Sequence, residues 1–173
     1  MSSITQARAF LVDLPVETPR TDAVQSFLKQ ETIFVEVSTG DDCTGLGYSY
    51  TIGTGGTAVL AMLNDYLLPR VLGKDARGVE ALWRDLHAAT RSTTVGAITS
   101  LALAAVDTAL WDWRCRQAAL PLRLLAGGAK ELIPLYDTDV GWLHLSTEEL
   151  VAGAKAAVEA MLAKMRGEMK AAN

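Results

Sequence analysis

Residues 94–127, TVGAITSLALAAVDTALWDWRCRQAALPLRLLAG, constrain this chain more than any other stretch. From Ala97 to Leu120 there is no Gly or Pro, and Ala and Leu, the strongest helix formers, dominate. The apolar residues run nearly all round, which predicts a buried central helix. Leu120-Pro121 ends it and opens a second short helix that stops at Gly127-Gly128. Two carboxylates, Asp107 and Asp112, interrupt the apolar run. Five positions apart, they point roughly 140° away from each other and do not form an acid/base pair. A carboxylate on so apolar a helix must find a partner. Arg114, Arg116 or a strand backbone can supply one, so a structural role is expected for both.

The 173 residues suit one domain with a real core, and half of them are hydrophobic, which excludes a disordered chain. The net charge is -4 and the cations form no patch, so nucleic acid is excluded as a partner. Cys43 and Cys115 lie far apart in no CxxC or Cys/His cluster, which fits a reducing, cytoplasmic setting. The N-terminus lacks the apolar run of a signal peptide. No apolar stretch reaches the roughly 18 residues of a membrane span.

Ahead of the central helix, residues 4–14 predict a strand and 15–30, with Pro15 and Pro19, an irregular loop. Residues 31–39 alternate, with Ile33, Val35 and Val37 on one face and Phe34, Glu36 and Ser38 on the other. Gly40-Asp41-Asp42 is turn chemistry, and 43–52 returns as a strand. The three strands predict an antiparallel meander. Gly53–Gly56 breaks the last of them. Helical spacing follows through Val59, Leu60, Leu63 and Leu67, with Pro69 in a final turn and Gly73 closing the segment. Residues 78–89 predict an amphipathic helix through Val79, Leu82, Trp83 and Leu86. Beyond Gly128, residues 131–137 predict a strand. Ser146 and Glu149 form a capping box for a last helix, which 161–173 either prolong or leave frayed.

Few residues form a chemical constellation. Gly53-Thr54-Gly55-Gly56 fits neither phosphate-loop pattern and reads as a turn or a substrate-facing loop. His87 and His144 have no Cys or second His nearby, which argues against zinc. No metal ligands are assigned. In a strand, Lys164 and Arg166 would share a face and could hold a carboxylate beside an α-proton; in a helix they would diverge. Asp137, Asp139 and Trp142 follow the 131–137 strand and would face an active site if a barrel were present.

The central helix and its sequel carry Ala102, Ala104, Ala105, Val106, Asp107, Ala109, Leu110, Asp112, Arg116, Pro121, Leu122, Leu125 and Gly127. In this order they resemble the mandelate racemase/muconate lactonizing enzyme family of the enolase superfamily. Trp113, Cys115 and Ala126 depart from its usual residues. The resemblance extends to the meander, the Leu82-Trp83 helix and the LIPLYDTDVGW stretch. It implies an α+β fold: a three-stranded antiparallel meander, then a three-helix bundle, forming a cap domain over residues 1–127. Residues 128–173 would be a β-α unit beginning a (β/α)8 barrel. It also implies that the loops at 15–30 and 50–56 close over the substrate. Tyr48, Tyr50, Thr51, Asp137 and Trp142 are the corresponding substrate-binding candidates. Lys164 and Arg166 fall near the family's basic Lys-x-Lys positions. The implied chemistry is removal of the proton α to a carboxylate, as in an acid-sugar dehydratase or racemase, with Mg²⁺ stabilising the enediolate. No tight Mg²⁺ binding is expected of this chain. A barrel takes roughly 200 residues, far more than follow Gly128, so the chain alone is expected to be inactive.

Two other functional readings remain. One is a non-catalytic binding or oligomerisation module built on the cap, a homo-oligomer because the apolar helix and the β-α unit would otherwise expose apolar surface. The other is a small enzyme using Tyr48, Tyr50, Asp137 and Lys164.

Overall fold

The alternation at 31–39 becomes the middle strand of a three-stranded sheet. The computed structural model describes residues 2–128, 130 and 141–171, the stretch 164–171 as backbone alone. Strand β1 is Ile4–Leu14, β4 is Gln30–Thr39 and β5 is Thr44–Thr51, in the order β1-β4-β5 and antiparallel throughout. Two short strands, β2 (Arg20–Thr21) and β3 (Ser26–Phe27), form a separate hairpin. The meander is therefore as predicted. The 15–30 segment is more ordered than its prolines suggest. Asp22 Oδ1 accepts the N–H groups of Val24 (2.7 Å) and Gln25 (2.8 Å), closing a local turn too short for periodicity to reveal.

The chain divides into two compact units. One is Met1–Val16 with Lys29–Glu131; the other is Glu17–Leu28 with Leu132–Asn173.

In the first unit, Ile33, Val35 and Val37 are fully buried beneath the helices. Helix α4 (Ala97–Ala118) lies directly on β5. Gly45 and Gly47 permit this approach. A Cβ on Gly47 would stand 2.1 Å from the carbonyl oxygen of Ala105, and one on Gly45 2.1 Å from that of Ala109. Ala102, Ala105, Val106, Ala109, Leu110 and Trp113 form the buried side of α4. Its other side is open: Ala104 and Thr108 are exposed, and Leu101, Asp107 and Trp111 are half-buried. The central position is as predicted, but burial all round is not. A small domain has too few elements to cover every face, and alanine tolerates water as readily as a core.

Helix α1 (Gly56–Ala61) continues through a π-helical stretch, Met62–Leu67, into α2 (Leu68–Val71). The Leu68 N–H reaches back to the Leu63 carbonyl, one residue further than in an α-helix. Pro69 accounts for the widening, since it has no N–H and its ring would crowd a carbonyl of the preceding turn. Gly73, at φ +75°, closes the segment.

Helix α3 (Val79–Ala89) buries Val79, Leu82 and Leu86. Trp83, predicted on that face, instead stacks on half-buried His87, one turn on, at 4.9 Å and 14° between ring planes. Ring-on-ring contact removes much of the indole from water without core space. The indole N–H of Trp113 donates to Thr39 Oγ1 at 2.9 Å, and that hydroxyl bonds to Asp41, tying α4 to the β4–β5 turn. A four-residue helix, α5 (Leu122–Leu125), ends at Gly127 and Gly128, both at positive φ.

In the second unit, α6 (Thr147–Ala171) starts at the predicted capping box. The Ser146 N–H donates to Glu149 Oε2 (2.7 Å) and the Glu149 N–H to Ser146 Oγ (3.2 Å). The helix continues to Ala171, so 161–171 prolong it. The strand predicted at 131–137 lies outside the described residues. No helix among the described residues is long and apolar enough to cross a membrane.

Candidate functional site

The most elaborated polar cluster lies where β5 turns into α1. Glu31 shares the inner face of β4 with Ile33, Val35 and Val37, and it is 7% exposed. Its strand neighbours are Thr51 on β5 and Asp13 on β1. Thr51 Oγ1 donates to Glu31 Oε2 at 2.8 Å, and the Gly56 N–H donates to the same oxygen at 3.2 Å. Lys29 Nζ lies 3.0 Å from Glu31 Oε1 and 3.3 Å from Asp13 Oδ2. Hydrogen bonds from Thr51 and Lys29 hold the Glu31 carboxyl below its usual range.

These contacts explain the glycines of the loop. Gly53 and Gly55 sit at φ +100° and +94°, where a side chain would be strained. Gly56 needs to lack a Cβ because that atom would fall 2.6 Å from Glu31 Oε2. The Glu31 carboxylate occupies the place at the α1 N-terminus where a bound anion would sit. That is the physical reason this loop is not a phosphate cradle. Sequence reasoning missed Glu31, although strand parity contained the signal: position 31 falls on the buried face with 33, 35 and 37.

Thr51 thus faces inward, whereas Tyr48 and Tyr50 point outward from β5 and are 56% and 54% exposed. Tyr48 closes an aromatic row across the outer sheet face, Phe10–Phe34 at 5.5 Å and Phe34–Tyr48 at 6.2 Å between ring centroids. The two tyrosines share a face with each other and not with Thr51.

In the second unit the structure joins two segments that the sequence nominated separately, the 15–30 loop and Trp142. The Phe27 ring meets Trp142 edge-on at 5.3 Å, and the Arg20 guanidinium lies 5.3 Å from its centroid. The Leu143 N–H donates to the Thr21 carbonyl (2.9 Å), and the Thr21 N–H to His144 Nδ1 (3.3 Å). Trp142 Nε1 is buried without a hydrogen-bond partner among the described residues. Asp137 and Asp139 lie outside those residues. Lys164 and Arg166 fall within α6. The backbone there is helical, so positions two apart are separated by about 200° and do not share a face as they would in a strand.

Asp112 is structural, as expected. Its Oδ2 accepts the Leu46 N–H (2.8 Å) and Arg116 Nε (2.7 Å). Asp107 is half-buried, and desolvation raises its pKa. It borders a cavity of about 600 Å³ with Leu46, Trp111, Cys115 and Leu122. Among the described residues no group of three or more His, Cys, Asp or Glu could hold a metal ion. The donors among the described residues therefore do not fit a Mg²⁺ site.

With this fold and loop in view, residues 4–127 match the family model for the mandelate racemase / muconate lactonizing enzyme N-terminal domain. The chain belongs to that family. It is 32% identical over 163 residues to a 3,6-anhydro-alpha-L-galactonate cycloisomerase of Streptomyces coelicolor, covering 90% of this chain and 45% of that protein. It is 28% identical to the L-talarate/galactarate dehydratase of Salmonella typhimurium, covering 82% of this chain and 37% of that one. The crystal structure of that dehydratase with Mg and L-lyxarohydroxamate superimposes with a TM-score of 0.83 at 26% identity, over 91% of this chain and 42% of the other. A racemase from Streptomyces coelicolor with bound magnesium gives 0.80 at 34% identity, over 92% and 44%. The chain thus spans less than half the length of these relatives.

Proposed function

We propose that this chain is the cap, residues 1–127, and the opening β-α unit, residues 128–173, of an enolase-superfamily enzyme acting on an acid sugar. The reaction class is abstraction of the proton α to a carboxylate, leading to dehydration, racemisation or cycloisomerisation. The observation that carries this is the fold match to a dehydratase crystallised with Mg and a sugar-acid hydroxamate, which runs past the cap to 91% of the chain. Within it, the 15–30 hairpin and the loop after β5 cover the substrate and exclude water from the reacting carbon. Tyr48, Tyr50, Thr51, Asp137 and Trp142 are the proposed substrate-contact residues; on β5, Tyr48 and Tyr50 offer the outer face and Thr51 the inner one. Lys164 and Arg166 remain the nearest equivalents of the family's basic pair. Their positions do not share a face of α6. Mg²⁺ supplies charge neutralisation in such chemistry; the described residues lack the donors for it, so no step at the metal is assigned here.

The chain alone does not abstract the α-proton. The test is to incubate it with Mg²⁺ and galactarate in D2O and follow the α-proton signal by NMR. Signal loss at the buffer rate is expected. Exchange above that rate would overturn the proposal and favour a small self-sufficient enzyme.

A further inference from the structure

One carboxylate oxygen of Glu31 grips both ends of the loop after β5. Thr51, the last residue of the strand, donates to Oε2 at 2.8 Å, and Gly56, the first of α1, donates to it at 3.2 Å. Residues Ile52–Gly55 lie between these two anchors. From this geometry we infer that Glu31 is a positioning residue, a pin that sets the conformation of the loop assigned above to cover the substrate. The inference rests on that assignment for its functional meaning, but the pin itself is a property of this chain.

Three features make Glu31 a pin and not merely a buried polar group. First, its oxygen is shared. Withdrawing it frees the strand end and the helix start together, which no substitution within the loop would do. Second, Gly53 and Gly55 have positive φ and no side chains, so neither contributes a side-chain anchor of its own to the loop. Third, the charge state is set by a defined environment. Lys29 Nζ bridges Glu31 Oε1 and Asp13 Oδ2, so one cation serves two carboxylates on adjacent strands. The side chains of Thr51 on β5 and the Gly56 backbone on α1 add no further charge. The charged groups facing the pin are therefore Asp13 and Lys29. The cation stays charged throughout the acid range.

The test is amide hydrogen exchange by NMR on the 173-residue chain. The Gly56 amide, bonded to Glu31, reads the pin; the Val35 and Val37 amides in the central strand read global stability. In Glu31→Gln, Gly56 exchange should rise at least about tenfold with Val35 and Val37 unchanged. In the native chain, Gly56 protection, corrected for intrinsic exchange, should hold from about pH 7 to about pH 5 and fall as the pH drops below the ordinary carboxylate pKa, and in Glu31→Gln that fall should be absent. Thr51→Val removes one donor and keeps the carboxylate, so an intermediate rise is expected. It gives an independent measurement should Glu31→Gln not fold. Unchanged Gly56 exchange in either variant, or a uniform rise that includes Val35 and Val37, would overturn the inference. The α-proton exchange experiment above addresses the functional assignment separately: exchange by the chain alone would overturn that reading and leave the pin standing.

Discussion

At the scale of residues, the chain holds carboxylates in opposite electrostatic situations. Hydrogen bonds hold Glu31 below its usual range, so its stabilising contribution is present above the ordinary carboxylate pKa and lost as pH falls through the folded value. Asp107 is the reverse. Burial raises its pKa, and no described partner offsets the desolvation. Its folded form binds a proton more tightly than its unfolded form, so stability falls as pH rises through that window. Asp107→Asn should therefore raise the melting temperature at neutral pH, and the gain should vanish in acid. Remaining solvent exposure limits it to less than about 1 kcal/mol. Paired thermal melts at about pH 7 and about pH 4 would check this. A variant less stable than the parent at neutral pH would mean that Asp107 has a partner which its surroundings do not reveal.

At the scale of elements, the contact between α4 and β5 organises the first unit. It depends on glycine facing alanine. Gly45 and Gly47 take the inward positions of β5, and Ala105 and Ala109 lie against them. The helix backbone thereby comes within reach of the strand, and Asp112 can accept the Leu46 N–H on the strand's open edge. Gly47→Ala places a methyl group against the Ala105 carbonyl oxygen, in backbone that cannot yield without moving α4. A loss of about 3 kcal/mol or more is expected, read as a lower urea midpoint. The same substitution at Gly73, where nothing lies near the added carbon, would be strained only by its φ of +75° and should cost less, about 1 kcal/mol.

At the scale of the whole molecule, apolar surface remains uncovered. In α6, Val151, Val158 and Leu162 fall along one stripe and are 48%, 52% and 41% exposed. Exposed apolar residues aligned in this way favour association. The chain is expected to self-associate, with a light-scattering mass above that of one chain and rising with concentration. A monodisperse monomer at all concentrations would count against an oligomerisation role. It would leave the family membership, which rests on residues 4–127, unaffected.

The sequence by itself determined the three-stranded meander, the helices that follow it, the α6 capping box and the family. Each is written in local periodicity or in residues close along the chain. Asp112 could be recognised as structural because an apolar helix leaves a carboxylate few alternatives. Tertiary structure decided which face of α4 stays open and where Trp83 lies. It also decided that Pro69 widens its helix and that Gly53–Gly56 closes on Glu31 in place of an anion. Glu31 shows why. Its meaning depends on Thr51 and Gly56, 20 and 25 residues away, converging on one oxygen. Strand parity put the carboxylate on the buried face, but only the packing of α1 against the sheet supplied the donors that it holds.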